Sequence, residues 1–129
     1  MSRKVAAYLA LAREDLAASR TLALNFPRHA AFNVEQAAEK IIKAVLTKEG
    51  IVFGAGHHQL ARLVGALPLD HPWRADLMSL DKHSPAATAL RYPTPGGIVP
   101  PNPDIAQITA DIAEIELLLP EIADWIDSR

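Results

Sequence analysis

Along the chain, apolar positions recur with a period near 3.6, and no run alternates apolar with polar residues in the Val/Ile/Thr/aromatic-rich manner of a half-buried strand. This pattern predicts an all-α fold, an antiparallel up-and-down bundle of four or five helices. Ser2 offers an N-cap to a first helix whose inner stripe is Val5, Leu9, Ala12, Leu16 and Ala23, and Asn25-Phe26-Pro27 stops it. A second helix is expected over residues 30–49. Its inner face is Ala31, Val34, Ala38, Ile41, Ile42 and Val45, its outer face Glu35, Gln36, Glu39, Lys40 and Lys43, and Gly50 is its stop.

After a Gly-rich connector over residues 51–57, Leu60, Leu63, Val64 and Leu67 fall at i, i+3, i+4 and i+7, which marks a short third helix closed by Pro68. A short fourth begins near Asp70-His71-Pro72, turns Trp73, Leu77 and Leu80 inward, and is broken by Ser84-Pro85. Residues 93–103 hold five prolines and two glycines and predict a surface loop. Asn102-Pro103-Asp104 then supplies a cap, an N1 proline and an acid for a last helix. In that helix Ile105, Ile108, Ile112, Ile115, Leu119, Ile122 and Ile126 form a heptad seam that Pro120 should bend. Leu118 and Trp125 lie outside the seam, as a second apolar stripe for a neighbouring helix or another subunit.

Composition narrows the classes. The 129 residues contain no cysteine, which excludes disulfides, thiol nucleophiles, Cys-ligated zinc and iron–sulfur clusters. The expectation is one domain spanning residues 1–129. The longest apolar run near the start, residues 5–12, falls well short of the ~20 residues needed to span a bilayer, so neither a membrane helix nor a secretory signal is expected and the address reads as cytoplasmic. Residues 1–103 carry a net +4 and residues 104–129 a net −6, too little basic excess for a protein held to bulk nucleic acid by many phosphates. A local anion site remains open.

The candidate chemistry is sparse. His57 and His58 are consecutive and would diverge by about 100° on a helix, and there is no His-Glu-x-x-His, so no metal site is expected, and no cofactor either. A P-loop and a GxGxxG fingerprint are also missing. Glu39 and Lys43 form an i, i+4 pair that supports the helix by about 0.2–0.5 kcal/mol. Asn33, Gln36 and Lys40 share an adjoining face and serve either hydrogen bonding between helices or a ligand. His58 is either a helix-start cap or a contact for phosphate or carboxylate. Arg91 offers a bidentate fork and Tyr92 a stacking face, together suited to a nucleotide; the alternative pairs Arg91 with Glu35 or Glu39 and packs Tyr92 under the proline loop.

The stretches from Phe32 to Ala44, Gly56-His57-His58-Gln59-Leu60, and Ala89-Leu90-Arg91-Tyr92-Pro93 resemble, in order and spacing, the HEPN domain family of small prokaryotic proteins. The resemblance covers essentially the whole chain and implies a helical bundle that commonly forms a homodimer. It also implies a nucleotide- or RNA-associated function, often beside a minimal nucleotidyltransferase in a toxin–antitoxin pair. Asn33, Gln36, Lys40, His58, Arg91 and Tyr92 are the ligand-binding candidates. Many members of the wider superfamily are metal-independent RNases with an Arg followed by four to six residues and a His. Here Arg62 to His71 and Arg74 to His83 are spaced more widely, and no His follows Arg91. A degenerate RNase and a purely structural dimerisation module therefore stand as alternatives.

Overall fold

The structure is a computed structural model that describes residues 1–54 and 59–129. It contains α1 (Arg3–Leu22), α2 (Pro27–Lys48), α3 (Leu60–Val64), α4 (Arg74–Met78), a 3-10 helix (Ser79–Ala87) and α5 (Ile105–Asp127), with no strand among the described residues. The all-α reading therefore holds. Ser2 caps α1, its Oγ accepting from the Val5 N–H at 3.2 Å, and Gly50 takes the left-handed conformation past the end of α2, with φ +72°.

α1 and α2 form an antiparallel hairpin, and α5 lies across both. Lys48 reaches the Arg129 carbonyl at one end of the bundle and Arg28 reaches the Pro100 carbonyl at the other, so α5 runs parallel to α2. Since α1 is antiparallel to α2, α5 is antiparallel to α1 as well, and Arg20 pairs with Glu116 between them. The return leg between α2 and α5 is made by short pieces. It starts where His71 meets Glu49 at the C-terminal end of α2 and comes back along α2 through the 3-10 helix. As a result α2 touches α1, α3, the 3-10 helix and α5, and its buried arc is the widest in the molecule.

That wide arc corrects the outer face expected for α2. Glu35 is fully buried, on the same stripe as Ala31, Ala38 and Ile42. Other departures are local. α2 starts at Pro27, because proline suits the first turn of a helix. The fourth helical segment starts at Arg74 and continues as 3-10 turns through Pro85 to Ala87. Asp104, not Asn102, caps α5, accepting from the Ala106 N–H at 3.3 Å, so Pro103 lies before the helix. Ile105, in the first turn of α5, is 38 % exposed and lies outside the core, whereas Ile108 to Ile126 of the seam are buried. Leu118 and Trp125 pack against the protein's own core. Trp125 meets the His71 ring edge-on at 5.4 Å and Trp73 at 6.5 Å, so the neighbour that this stripe meets is the protein's own return leg.

Candidate functional site

Two clefts adjoin where the return leg meets the N-terminal halves of α2 and α5. The first, of about 200 Å³, lies between α2, the 3-10 helix and α5; Val34, Pro85, Leu90 and Ile108 supply apolar walls, and His83 and Asp111 supply polar ones. The second, of about 140 Å³, lies under the proline-rich loop and is lined by Arg28, Leu90, Arg91, Tyr92, Val99 and Pro100. Leu90 lines both, so they meet across one side chain.

In the first cleft, His83 is held on the 3-10 helix and is more than nine-tenths buried. Its Nδ1 lies 4.0 Å from Asp111 Oδ2 and its Nε2 has no hydrogen-bond partner among the described residues. Burial is the main reason its pKa is held below the usual histidine value; Asp111 opposes that shift, Lys82 adds to it and Glu114 opposes it. One turn before Asp111 on α5, Gln107 donates from Nε2 to Asp111 Oδ1 at 3.0 Å and so orients the carboxylate. Lys82 is engaged by Glu114 at 2.9 Å.

The second cleft is cationic. The Arg91 guanidinium stands over the Phe32 ring of α2 at 4.2 Å and 5.8 Å from the Tyr92 ring, a stacked arrangement that arginine favours. The expected alternative, pairing of Arg91 with Glu35 or Glu39, is not what is seen. Among the described residues Arg91 makes no ion pair, because Glu35 is turned into the core and Glu39 is taken by Lys43 at 3.3 Å. Tyr92 is 60 % exposed instead of packing under the loop. Arg28 donates to the Pro100 carbonyl and ties the loop to the start of α2.

The six candidate residues therefore do not gather at one point. Arg91 and Tyr92 come together at Phe32. Asn33, one residue on and so about 100° around the helix, donates to the His29 carbonyl at 3.1 Å. Gln36 donates to Glu35 Oε2 at 2.8 Å, and Lys40 pairs with Asp15 at 2.5 Å across the hairpin. His58 lies outside the described residues. One member of each widely spaced Arg–His combination is engaged elsewhere: Arg74 donates to the Leu67 carbonyl at 3.4 Å, and His71 accepts from the Trp73 N–H at 3.1 Å.

Sequence reasoning missed Arg28, Phe32, His83, Gln107 and Asp111. Arg28 and Phe32 share one helical row with spacing i, i+4, a signal that points to their side of α2. No local signal ties His83 to Asp111, since their proximity depends on how the 3-10 helix lies against α5. Glu35 was also missed. Its Oε1 has no partner among the described residues, and burial pushes its pKa up to about 7, with the Gln36 hydrogen bond acting in the opposite direction.

Residues 5–117, most of the chain, match the model of the HEPN domain, and the chain belongs to the HEPN domain family. No curated protein and no solved structure matches it. Membership supports a nucleotide- or RNA-associated role in general terms. No group of His, Asp and Glu able to hold a metal occurs among the described residues, and none of their helices is long and apolar enough to cross a membrane.

Proposed function

We propose that this protein binds a nucleotide or a single-stranded RNA segment on the Arg91–Tyr92 face and works beside a minimal nucleotidyltransferase, as in a toxin–antitoxin pair. The observation that carries the reading is the stacked guanidinium of Arg91, which is exposed and meets no carboxylate among the described residues. A guanidinium held flat on Phe32 keeps its N–H edge free for phosphate oxygens, and the open Tyr92 ring offers a base a face to stack on. The outer face of α5 favours a protein partner over nucleic acid, since Glu114, Glu116, Glu121 and Asp124 are exposed there around Leu117, itself 74 % exposed.

Arg91→Ala is expected to weaken binding of a fluorescent single-stranded RNA about tenfold, or about 1.4 kcal/mol. Its melting temperature should stay within a few degrees of the parent, and binding should weaken as salt rises from low to physiological levels. A large drop in melting temperature with RNA affinity unchanged would make Arg91 a structural prop and end this reading.

The protein is also proposed to act as a homodimer, in keeping with the common habit of HEPN domains. Because Leu118 and Trp125 are used internally, the apolar surface left for a second copy includes Leu24, Phe26, Ile98 and Val99, all more than half exposed. Light scattering across the micromolar range should return the mass of two chains. A monomer mass at every concentration rules the dimer out.

A further inference from the structure

We infer that the cleft between His83, Gln107 and Asp111 is a base-reading pocket selective for guanine, placed so that the phosphate of the same nucleotide falls on Arg91 and Arg28. This deepens the nucleotide reading above and rests on it.

The size of the cleft limits what it can hold. Complete small-molecule sites usually enclose ~300–1,000 Å³, whereas this cleft offers about 200 Å³, room for one ring system and not for a whole nucleotide. Its walls suit a flat apolar body, with Val34 on α2, Pro85 on the 3-10 helix and Ile108 on α5 around it. The remainder of such a ligand is matched by the cationic cleft next door. Leu90 is shared with the neighbouring cleft, where Arg28 and Arg91 supply positive charge and Tyr92 a ring.

Charge divides the two clefts. Asp111 and Asp104 both line the first, and its lysine, Lys82, is tied to Glu114. Phosphate is therefore disfavoured there and favoured next door. What the first cleft requires is a donor. Asp111 is half-satisfied: Oδ1 accepts from Gln107, while Oδ2 stands 4.0 Å from His83 Nδ1, beyond hydrogen-bond reach. Its side chain is 16 % exposed, buried enough for unmet acceptor capacity to be costly yet open to the cleft. His83 adds a polar atom, Nε2, that is buried without a partner among the described residues.

A planar ligand with two adjacent N–H donors matches this carboxylate, one N–H meeting the open Oδ2 and the other the second lone pair of Oδ1, which Gln107 leaves free. Among the common bases only guanine presents them, on N1 and N2. Adenine and cytosine set one amino group beside a ring acceptor, and uracil flanks its one N–H with two carbonyls, so each directs lone pairs at the carboxylate. Hydrogen-bonding sites reject such mismatched edges strongly, because the buried group is left unpaired.

The test is equilibrium binding of GMP, IMP, AMP, CMP and UMP to the full chain. GMP should bind at least tenfold more tightly than AMP, CMP or UMP, and IMP, which keeps N1–H and lacks the N2 amine, should fall between. Asp111→Asn should weaken GMP at least tenfold and erase the ranking. Gln107→Ala, at an exposed position, leaves the carboxylate unoriented and should weaken GMP by a smaller factor, which keeps the test open should Asp111→Asn fold poorly. If all five nucleotides bind alike, depend on Arg91 and ignore Asp111 and Gln107, the guanine pocket is wrong and the nucleotide reading survives. If none binds and RNA affinity is indifferent to Arg91, both fall.

Discussion

Glu35→Gln should leave the protein about as stable as its parent at pH 5 and make it more stable by about 2–3 kcal/mol at pH 8. The carboxyl is fully buried and its pKa rises from an ordinary 4.5 to about 7 in the folded protein. A carboxyl whose folded pKa is raised binds its proton more tightly when folded. Its favourable contribution is therefore complete below the unfolded value near 4.5 and declines as pH rises through 7. Burial dominates. The Gln36 hydrogen bond and the charges of Lys40 and Lys43 favour ionisation, and Glu39 opposes it, but both lysines are paired, with Asp15 and Glu39. His83 works in the other direction. Its lowered pKa makes it refuse a proton when folded, so its contribution is lost as pH falls below the unfolded value of 6.5. Comparing parent and variant at each pH removes that background. Chemical denaturation across pH 5 to 8 is the measurement, and two parallel profiles would mean that Glu35 stays ionised in the folded protein throughout.

Ile115→Ala should cost about 2–5 kcal/mol, a large share of the roughly 5–15 kcal/mol that holds a domain of this kind together. Ile115 is wholly buried at the middle of the α5 seam, between Ile112 and Leu119, where the long helices close on one another. Removing its outer carbons leaves a void that close-packed helices cannot collapse into without disturbing those neighbours. Ile105→Ala, in the first turn and 38 % exposed, is the matched control and should cost under about 0.5 kcal/mol. Equal denaturation midpoints for the two variants would place the inner face of α5 elsewhere.

Most of the fold could be read from short-range pattern. The stripes of α1 and α5, the Gly50 stop, the Ser2 cap and the proline loop are each specified by residues within a few positions of one another, and helix periodicity is a local property. Glu35 shows where a residue-type rule fails. Its angular position lies within the arc set by Ala31, Ala38 and Ile42, so the geometry was legible, but charge type argued for the outside. Only the packing of α2 against four other elements overrules that preference.

The site divides in the same way. Arg91 and Tyr92 stand out in the sequence because they are adjacent and chemically distinctive, and Arg28 and Phe32 lie one helical turn apart. That Arg91 lies on Phe32 instead of pairing with Glu35 or Glu39 was decided by where the return leg brings the chain back across α2. The cleft of His83 and Asp111 has no sequence signature, because its two sides are separated along the chain and meet only when the 3-10 helix is fitted between α2 and α5. Sequence alone determined the long helices and the buried stripes of α1 and α5, since these follow from neighbouring side chains. The tertiary structure alone decided which carboxylates face water and which face a cleft, because a carboxylate's surroundings are set by the elements packed around it.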